Sequence, residues 1–306
     1  MGLQSYWGPL VAWYLFLAGT GAGSYIIAVI ADNLGDRYQP VAKIGVYLGA
    51  PLVIIGSLLL LLDLGYPTRF FLGFSNLQSS MMSIGMIVIT VFIFAGMVHL
   101  VALFFFGRTR GAPRWLGRIN IIFAFGTAIY TGLLLGTLRA IPFWNTPILP
   151  MIFLFSSLST GIGAIALSMG LWRWINPAAV NNRGKKVIAS SELLSRFEIP
   201  VLLAEALAIF FLMFTTASST GVMAISANYL LRGDYALAFW LGLGFIGLLV
   251  PLVLELWSFS RRKKPSLTRL TDLGVASGLC LLFGGVVLRY AILSAGASMS
   301  FPLHPL

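Results

Sequence analysis

The sequence predicts an all-α integral membrane protein of eight transmembrane helices, packed as two four-helix bundles with both termini on the outer, periplasmic side. Three observations carry this. Only 9% of the 306 residues are charged, whereas 58% are apolar, and the mean hydropathy is +0.93; a soluble domain carries about 25% charge. Eight apolar runs are each long enough to cross a bilayer, which takes about 20 residues of helix. The Lys and Arg residues segregate strongly by loop, and that segregation sets orientation. A cytosolic enzyme, a nucleic-acid binder and a disulfide-stapled secreted domain are excluded, and the net charge of +11 reads as loop charge on the cytoplasmic side.

The spans fall at Pro9–Ala31, Val41–Leu62, Met82–Phe106, Trp115–Leu138, Pro147–Ile175, Glu192–Ala217, Tyr235–Phe259 and Thr271–Ser294. They are continuous runs rich in Leu, Ile, Phe and Gly, not the ten-residue alternation of a membrane β-barrel. No Lys or Arg precedes the first run, so it lacks the basic region of a signal peptide. The loops after spans one, three, five and seven hold fifteen Lys and Arg, and those after the even spans hold three. The basic side is then cytoplasmic. The short loops leave one transmembrane domain, 1–306, with possible halves 1–140 and 141–306 and no internal repeat. Glycines four apart, at Gly19/Gly23, Gly45/Gly49, Gly132/Gly136 and Gly274/Gly278, clear helix faces for close packing, although 33 glycines produce some such pairs by chance. Pro51, Pro200 and Pro251 lie inside spans and are expected to kink them.

Charges inside lipid are costly and mark function. Glu198 and Glu205 stand two helical turns apart on one face of the sixth span, with Glu205 about 20 Å from its Glu192 end. They form either a proton relay from the cytoplasm or, for Glu205, a structural pair with Arg289 or Arg196. Arg289, in the outer third of the last span, is either a snorkelling residue or the counter-charge of Asp63 or Glu205. Glu255, near a span end, is expected to snorkel. Two histidines, His99 and His304, fall on opposite sides, so a bis-histidine haem is not expected. The single Cys280 cannot hold an iron–sulfur cluster or structural zinc alone. On the outer side Asp63, Arg69, Trp144 and Asn145 sit in two loops dense in aromatics, Pro and Asn, which suits a slot for a flat amphipathic ligand or the docking of a partner.

Five stretches resemble the NrfD/PsrC family of polysulfide-reductase-type membrane subunits: Trp7–Gly23 (WGPLVAWYLFLAGTGAG), Asp63–Phe70 (DLGYPTRF), Tyr130–Gly136 with Pro142–Pro147 (YTGLLLG, PFWNTP), Ser157–Gly161 (SLSTG) and Gly284–Tyr290 (GGVVLRY). The resemblance runs along the whole chain in the right order. It implies a haem-free subunit of a bacterial or archaeal inner-membrane respiratory complex that binds menaquinone or ubiquinone near the outer face. It also implies electron exchange with a four-cluster ferredoxin-like iron–sulfur subunit, itself wired to a molybdopterin catalytic subunit or a multihaem cytochrome. By the same resemblance Tyr130 contacts the quinone, Asp63 passes its protons, and Trp144 and Asn145 lie in the loop over the site. Tyr14 and Trp13 stand where some members place a histidine. Two rival readings stay open, a proton-coupled secondary transporter and a purely structural membrane anchor.

Overall fold

The computed structural model describes residues 8–63, 81–106, 114–138, 141–181, 183–219, 221–260 and 267–297. Among them every regular element is helical. The chain runs through α1 (Pro9–Leu34), a 3₁₀ turn (Asp36–Tyr38), α2 (Gln39–Asp63), α3 (Met81–Phe106), α4 (Arg114–Gly136), α5 (Ile148–Ile175), the short α6 (Pro177–Asn181) and α7 (Gly184–Ala217). It goes on through α8 (Val222–Leu231), a π-helical stretch (Ala238–Leu249) leading into α9 (Val250–Ser260), and α10 (Leu267–Ala297). Eight of these helices are long and apolar enough to cross a membrane, at the eight predicted positions, and the protein is a multi-pass integral membrane protein.

α1 is the central helix. Its apolar window is 89% buried, against 28% for α3, because its Ala, Gly and Ser residues let neighbours approach from all sides. Gly35, with φ +126°, ends it, and the 3₁₀ turn reverses the chain into α2. α1 packs on α2, α4, α5 and α10; α3 closes against α2 and α4; and α5, α7, α9 and α10 pack among themselves.

The α1–α5 crossing brings two helix backbones into contact. A methyl built on Gly23 would lie 1.8 Å from the Ser157 carbonyl oxygen, and one on Gly161 would lie 2.4 Å from the Ser24 nitrogen. The two backbones therefore touch, and only glycine fits at either position. The predicted glycine pairs divide. Gly45, Gly49, Gly132 and Gly278 each meet a neighbouring helix within 3 Å of such a methyl, whereas Gly136 and Gly274 have room for one.

Three features depart from the sequence reading. α7 begins at Gly184, eight residues before the expected Glu192, because its polar first turns continue the helix beyond the apolar run. α8 adds a ten-residue helix too short to span. The seventh span opens as a π-helix, in which Val250 N–H reaches back to Phe245 O. The wide turns end two residues before Pro251, whose ring would collide with the preceding turn of an α-helix. Two glycines of the π-helical stretch press on α10: a methyl on Gly242 would fall 3.1 Å from Val287 Cγ1, and one on Gly247 would fall 2.7 Å from Gly284 Cα.

The basic ends of the helices are tied to each other. Arg114 pairs with Asp32 at 3.6 Å, Arg118 Nε donates to Asn33 Oδ1 at 3.0 Å, and Arg173 pairs with Asp272. The opposite end gathers Gly8, Asp63, Met82, Gly136 and the 141–147 loop.

Candidate functional site

Two tyrosines meet near that opposite end. Tyr14 of α1 and Tyr130 of α4 are both buried, and their phenols lie within electrostatic range of each other. The Tyr130 hydroxyl donates only a long bond, 3.4 Å, to Met82 O. Among the described residues the Tyr14 hydroxyl has no hydrogen-bond partner. Gly85 of α3 makes room for the Tyr130 ring: a methyl there would fall 1.7 Å from its Cζ. Trp13, the alternative on α1, is 46% exposed and stacks edge-on against Phe16, so Tyr14 is the inward-facing residue. Asp63, exposed at the end of α2, stands beside the start of α1, where its Oδ1 is 3.8 Å from a methyl built on Gly8. Arg69 lies outside the described residues.

The 141–147 loop is a folded plug. Trp144 N and Asn145 N both bond Ile141 O, at 3.0 and 3.3 Å. Trp144 is fully buried and its indole N–H donates to Ile292 O of α10 at 2.9 Å, while Gly296 leaves space for the ring. Asn145 faces outward. Trp144 therefore pins the loop to α10. Trp144→Phe should cost about 0.5–1.5 kcal/mol by removing the indole's bond to the Ile292 carbonyl, read as a lowered thermal midpoint of the purified protein; an unchanged midpoint would show that the bond contributes nothing.

Arg289 is the most unusual side chain in the core. It is fully buried, between the rings of Phe16 and Phe153, with its guanidinium carbon 5.7 and 5.6 Å from their centroids. Its Nε donates to Leu15 O at 3.3 Å and its Nη1 to Ser156 Oγ at 2.8 Å and Gly285 O at 2.9 Å. Nη2 has no partner among the described residues. Glu205 of α7 accepts from Ser159 Oγ at 2.7 Å and is also bonded to Ser156. Arg289 is thus buried, not snorkelling, and Ser156 stands between it and Glu205 in place of a direct ion pair. Arg196, the other possible partner, faces outward. Through Leu15 O the same guanidinium reaches the residue next to Tyr14.

A second acid group lies nearer the basic end. Glu198 accepts from Ser277 of α10 and interacts with Glu255 of α9. Both carboxyls are buried, Glu255 at 4% exposure, so Glu255 does not snorkel as its place near a span end suggested. Packing against α7 turns it inward. The two acids border a cavity of about 20 Å3, also lined by Ser191, Ser195, Ser258 and Thr271, which is room for about one water. Glu198 and Glu205 are separated by about 10 Å along α7. Sequence reasoning placed Glu255 only as a snorkelling residue and missed Ser156. A carboxylate lodged within an apolar run was the signal for the first; the second had none, since Ser in membrane helices commonly bonds its own backbone.

His99 is buried and shares a 2.7 Å hydrogen bond with the Tyr25 hydroxyl. No cluster of three His, Cys, Asp or Glu side chains suited to a metal occurs among the described residues.

The profile of the family described as "Polysulphide reductase, NrfD" matches residues 1–300. The chain belongs to the NrfD family. It is 29% identical to the protein NrfD of Escherichia coli K12 and 32% identical to the C chain of polysulfide reductase from Wolinella succinogenes, in each case over 95% of this chain and 94% of the relative. The NrfD homolog of Haemophilus influenzae is 26% identical over the same shares. The NrfD-like stretches now acquire physical roles. Gly19 and Gly23 of the first stretch meet Ser157–Gly161 at the α1–α5 crossing, Gly284–Tyr290 delivers Arg289 to the core, and Tyr130–Gly136 with Pro142–Pro147 builds the end at which Tyr14 and Tyr130 meet. Of Asp63–Phe70, only Asp63 falls within the described residues.

Proposed function

We propose that this NrfD-family protein is the quinone-binding membrane subunit of a respiratory oxidoreductase complex in the bacterial or archaeal inner membrane. It exchanges electrons between the menaquinone or ubiquinone pool and an iron–sulfur subunit docked at the outer face, with molybdopterin or multihaem chemistry on further partners. The observation that carries this reading is the buried Tyr14–Tyr130 pair, two phenols with almost no hydrogen bonding among the described residues, at the end where the 141–147 loop and Asp63 come together. The donor set fits a quinone: a phenol donates well to a carbonyl oxygen, and the apolar surroundings suit the ring. A relative that is one chain of a polysulfide reductase supports a place in a multi-subunit reductase.

A bound quinone would supply two-electron, two-proton chemistry. The protein's own residues would orient it and handle its protons. Tyr130 and Tyr14 hold the headgroup by hydrogen bonds. Asp63, exposed at the same end, exchanges protons with the outer solvent. A second route runs from the basic, cytoplasmic end through Glu198 and Glu255 to Glu205, where Ser156 carries the hydrogen bonding on and the fixed charge of Arg289 holds the inner end. Proton movement along it would couple turnover to the membrane potential, at about 2.3 kcal/mol per charge per 100 mV.

The test is quinol oxidation by the purified native complex. Tyr130→Phe removes one donor and should slow quinol-linked electron transfer about tenfold, the worth of one good hydrogen bond, with subunits still assembled. Unchanged rates in an intact complex would move the quinone elsewhere or leave this subunit a structural anchor.

A further inference from the structure

A cavity of about 390 Å3 opens at the basic end, remote from the tyrosine pair, between α2, α5 and the start of α7. Its apolar lining comes from Pro40, Ile44 and Leu48 of α2 and Trp172 of α5, with Ile44 and Leu48 farther along α2 from the basic end than Lys43. Three cations also line it, Lys43, Arg183 and Lys186, and no carboxylate is among its described lining residues. The three are close enough that the charges of Arg183 and Lys186 act on Lys43. Arg183 lies over the Trp172 ring at 5.8 Å, and Lys186 Nζ is 3.5 Å from Gln39 Oε1. Three positive charges gathered beside an apolar wall favour an anion held between them.

We infer that this cavity binds an anionic phospholipid, with the phosphate among Lys43, Arg183 and Lys186 and an acyl tail along Ile44 and Leu48. The geometry follows from α2: from Lys43 to Leu48 the helix advances about 7.5 Å, from the polar end into the apolar zone. A neutral apolar molecule would use the wall and make no use of the cations. A free anion would use the cations and leave the wall empty. Only an amphipathic anion uses both, and basic pockets between membrane helices at the cytoplasmic side hold acidic headgroups in this way. The site does not depend on the quinone reading.

The experiment is native mass spectrometry of the full-length protein in mild detergent, loaded with phosphatidylglycerol or phosphatidylcholine of identical acyl composition. Phosphatidylglycerol should be retained preferentially, and the Lys43→Gln/Lys186→Gln double variant should bind it about 25-fold more weakly, about fivefold for each charge removed. Lys43→Arg/Lys186→Arg should retain it. Equal retention of the two lipids by the wild-type protein overturns the inference, and that comparison needs no variant to fold. So does displacement of bound phosphatidylglycerol by an equal concentration of inorganic phosphate, which would reveal a free-anion site. Displacement by a quinone analogue would overturn it in favour of a second quinone pocket.

Discussion

Gly161→Ala is expected to abolish accumulation of folded protein in the membrane. The added methyl would lie 2.4 Å from Ser24 N and 2.5 Å from the Gly23 carbonyl carbon. Both are backbone atoms of the central helix, so no side chain is there to swing away and make room. The α1–α5 crossing would have to open by an ångström or more. α1 touches α2, α4, α5 and α10, so displacing it disturbs packing throughout the membrane domain. Overpacking a core usually costs about 1–3 kcal/mol, and a clash between two backbones belongs above that range. Gly23→Ala, with its methyl 1.8 Å from Ser157 O, should behave alike. Ser24→Ala is the control: it removes only bonds from its hydroxyl to Thr20 O and Gly161 O, at 2.8 and 3.3 Å, and should fold. Gel-filtration profiles of the detergent-solubilised variants decide the matter. A monodisperse Gly161→Ala protein with wild-type yield would mean that the crossing is looser than its geometry.

This crossing also shows how far the sequence could be read. The eight spans were legible because lipid demands continuous apolar runs and leaves loops as the sole place for most charge. The helices that escaped notice, α6 and α8, are too short to show that signal. The glycine pairs were visible, but spacing alone does not separate Gly278, pressed on Gly163, from Gly274, which has space around it; the difference lies in what stands opposite. Burial of charge was half legible. Glu198, Glu205 and Arg289 declared themselves by depth. Glu255 did not, because distance from a span end says nothing about which face a residue occupies. Similarly, Tyr14 and Trp13 were equivalent by depth along α1, and only the helix rotation, which turns Tyr14 inward, separates them. The π-helical stretch has no periodicity a sequence window would pick out, though Pro251 and three glycines marked the place.

The acids of α7 carry the second large expectation, conditional on the proposed quinone chemistry. Glu205 is held by Ser159 and Ser156, and Ser156 also accepts from Arg289. A glutamine there keeps the shape and much of the hydrogen bonding but cannot take up and release a proton. If protons reach the quinone by this route, Glu205→Gln should slow proton-coupled turnover by about 100-fold, within the range for a positioned acid or base, while quinone affinity and subunit assembly stay as in the wild type. Glu198→Gln should weaken turnover less, because Glu255 sits beside it and can hold a proton in its place; the Glu198→Gln/Glu255→Gln double variant should approach the Glu205→Gln defect. That ordering separates a relay from a structural role. A structural Glu205 would change the thermal midpoint and leave turnover per folded complex unaltered. The measurement is quinol oxidation by the complex in proteoliposomes, together with the charge moved per turnover. A Glu205→Gln complex that turns over and moves charge like the wild type would confine the protons to the Asp63 side, and turnover would then be electroneutral.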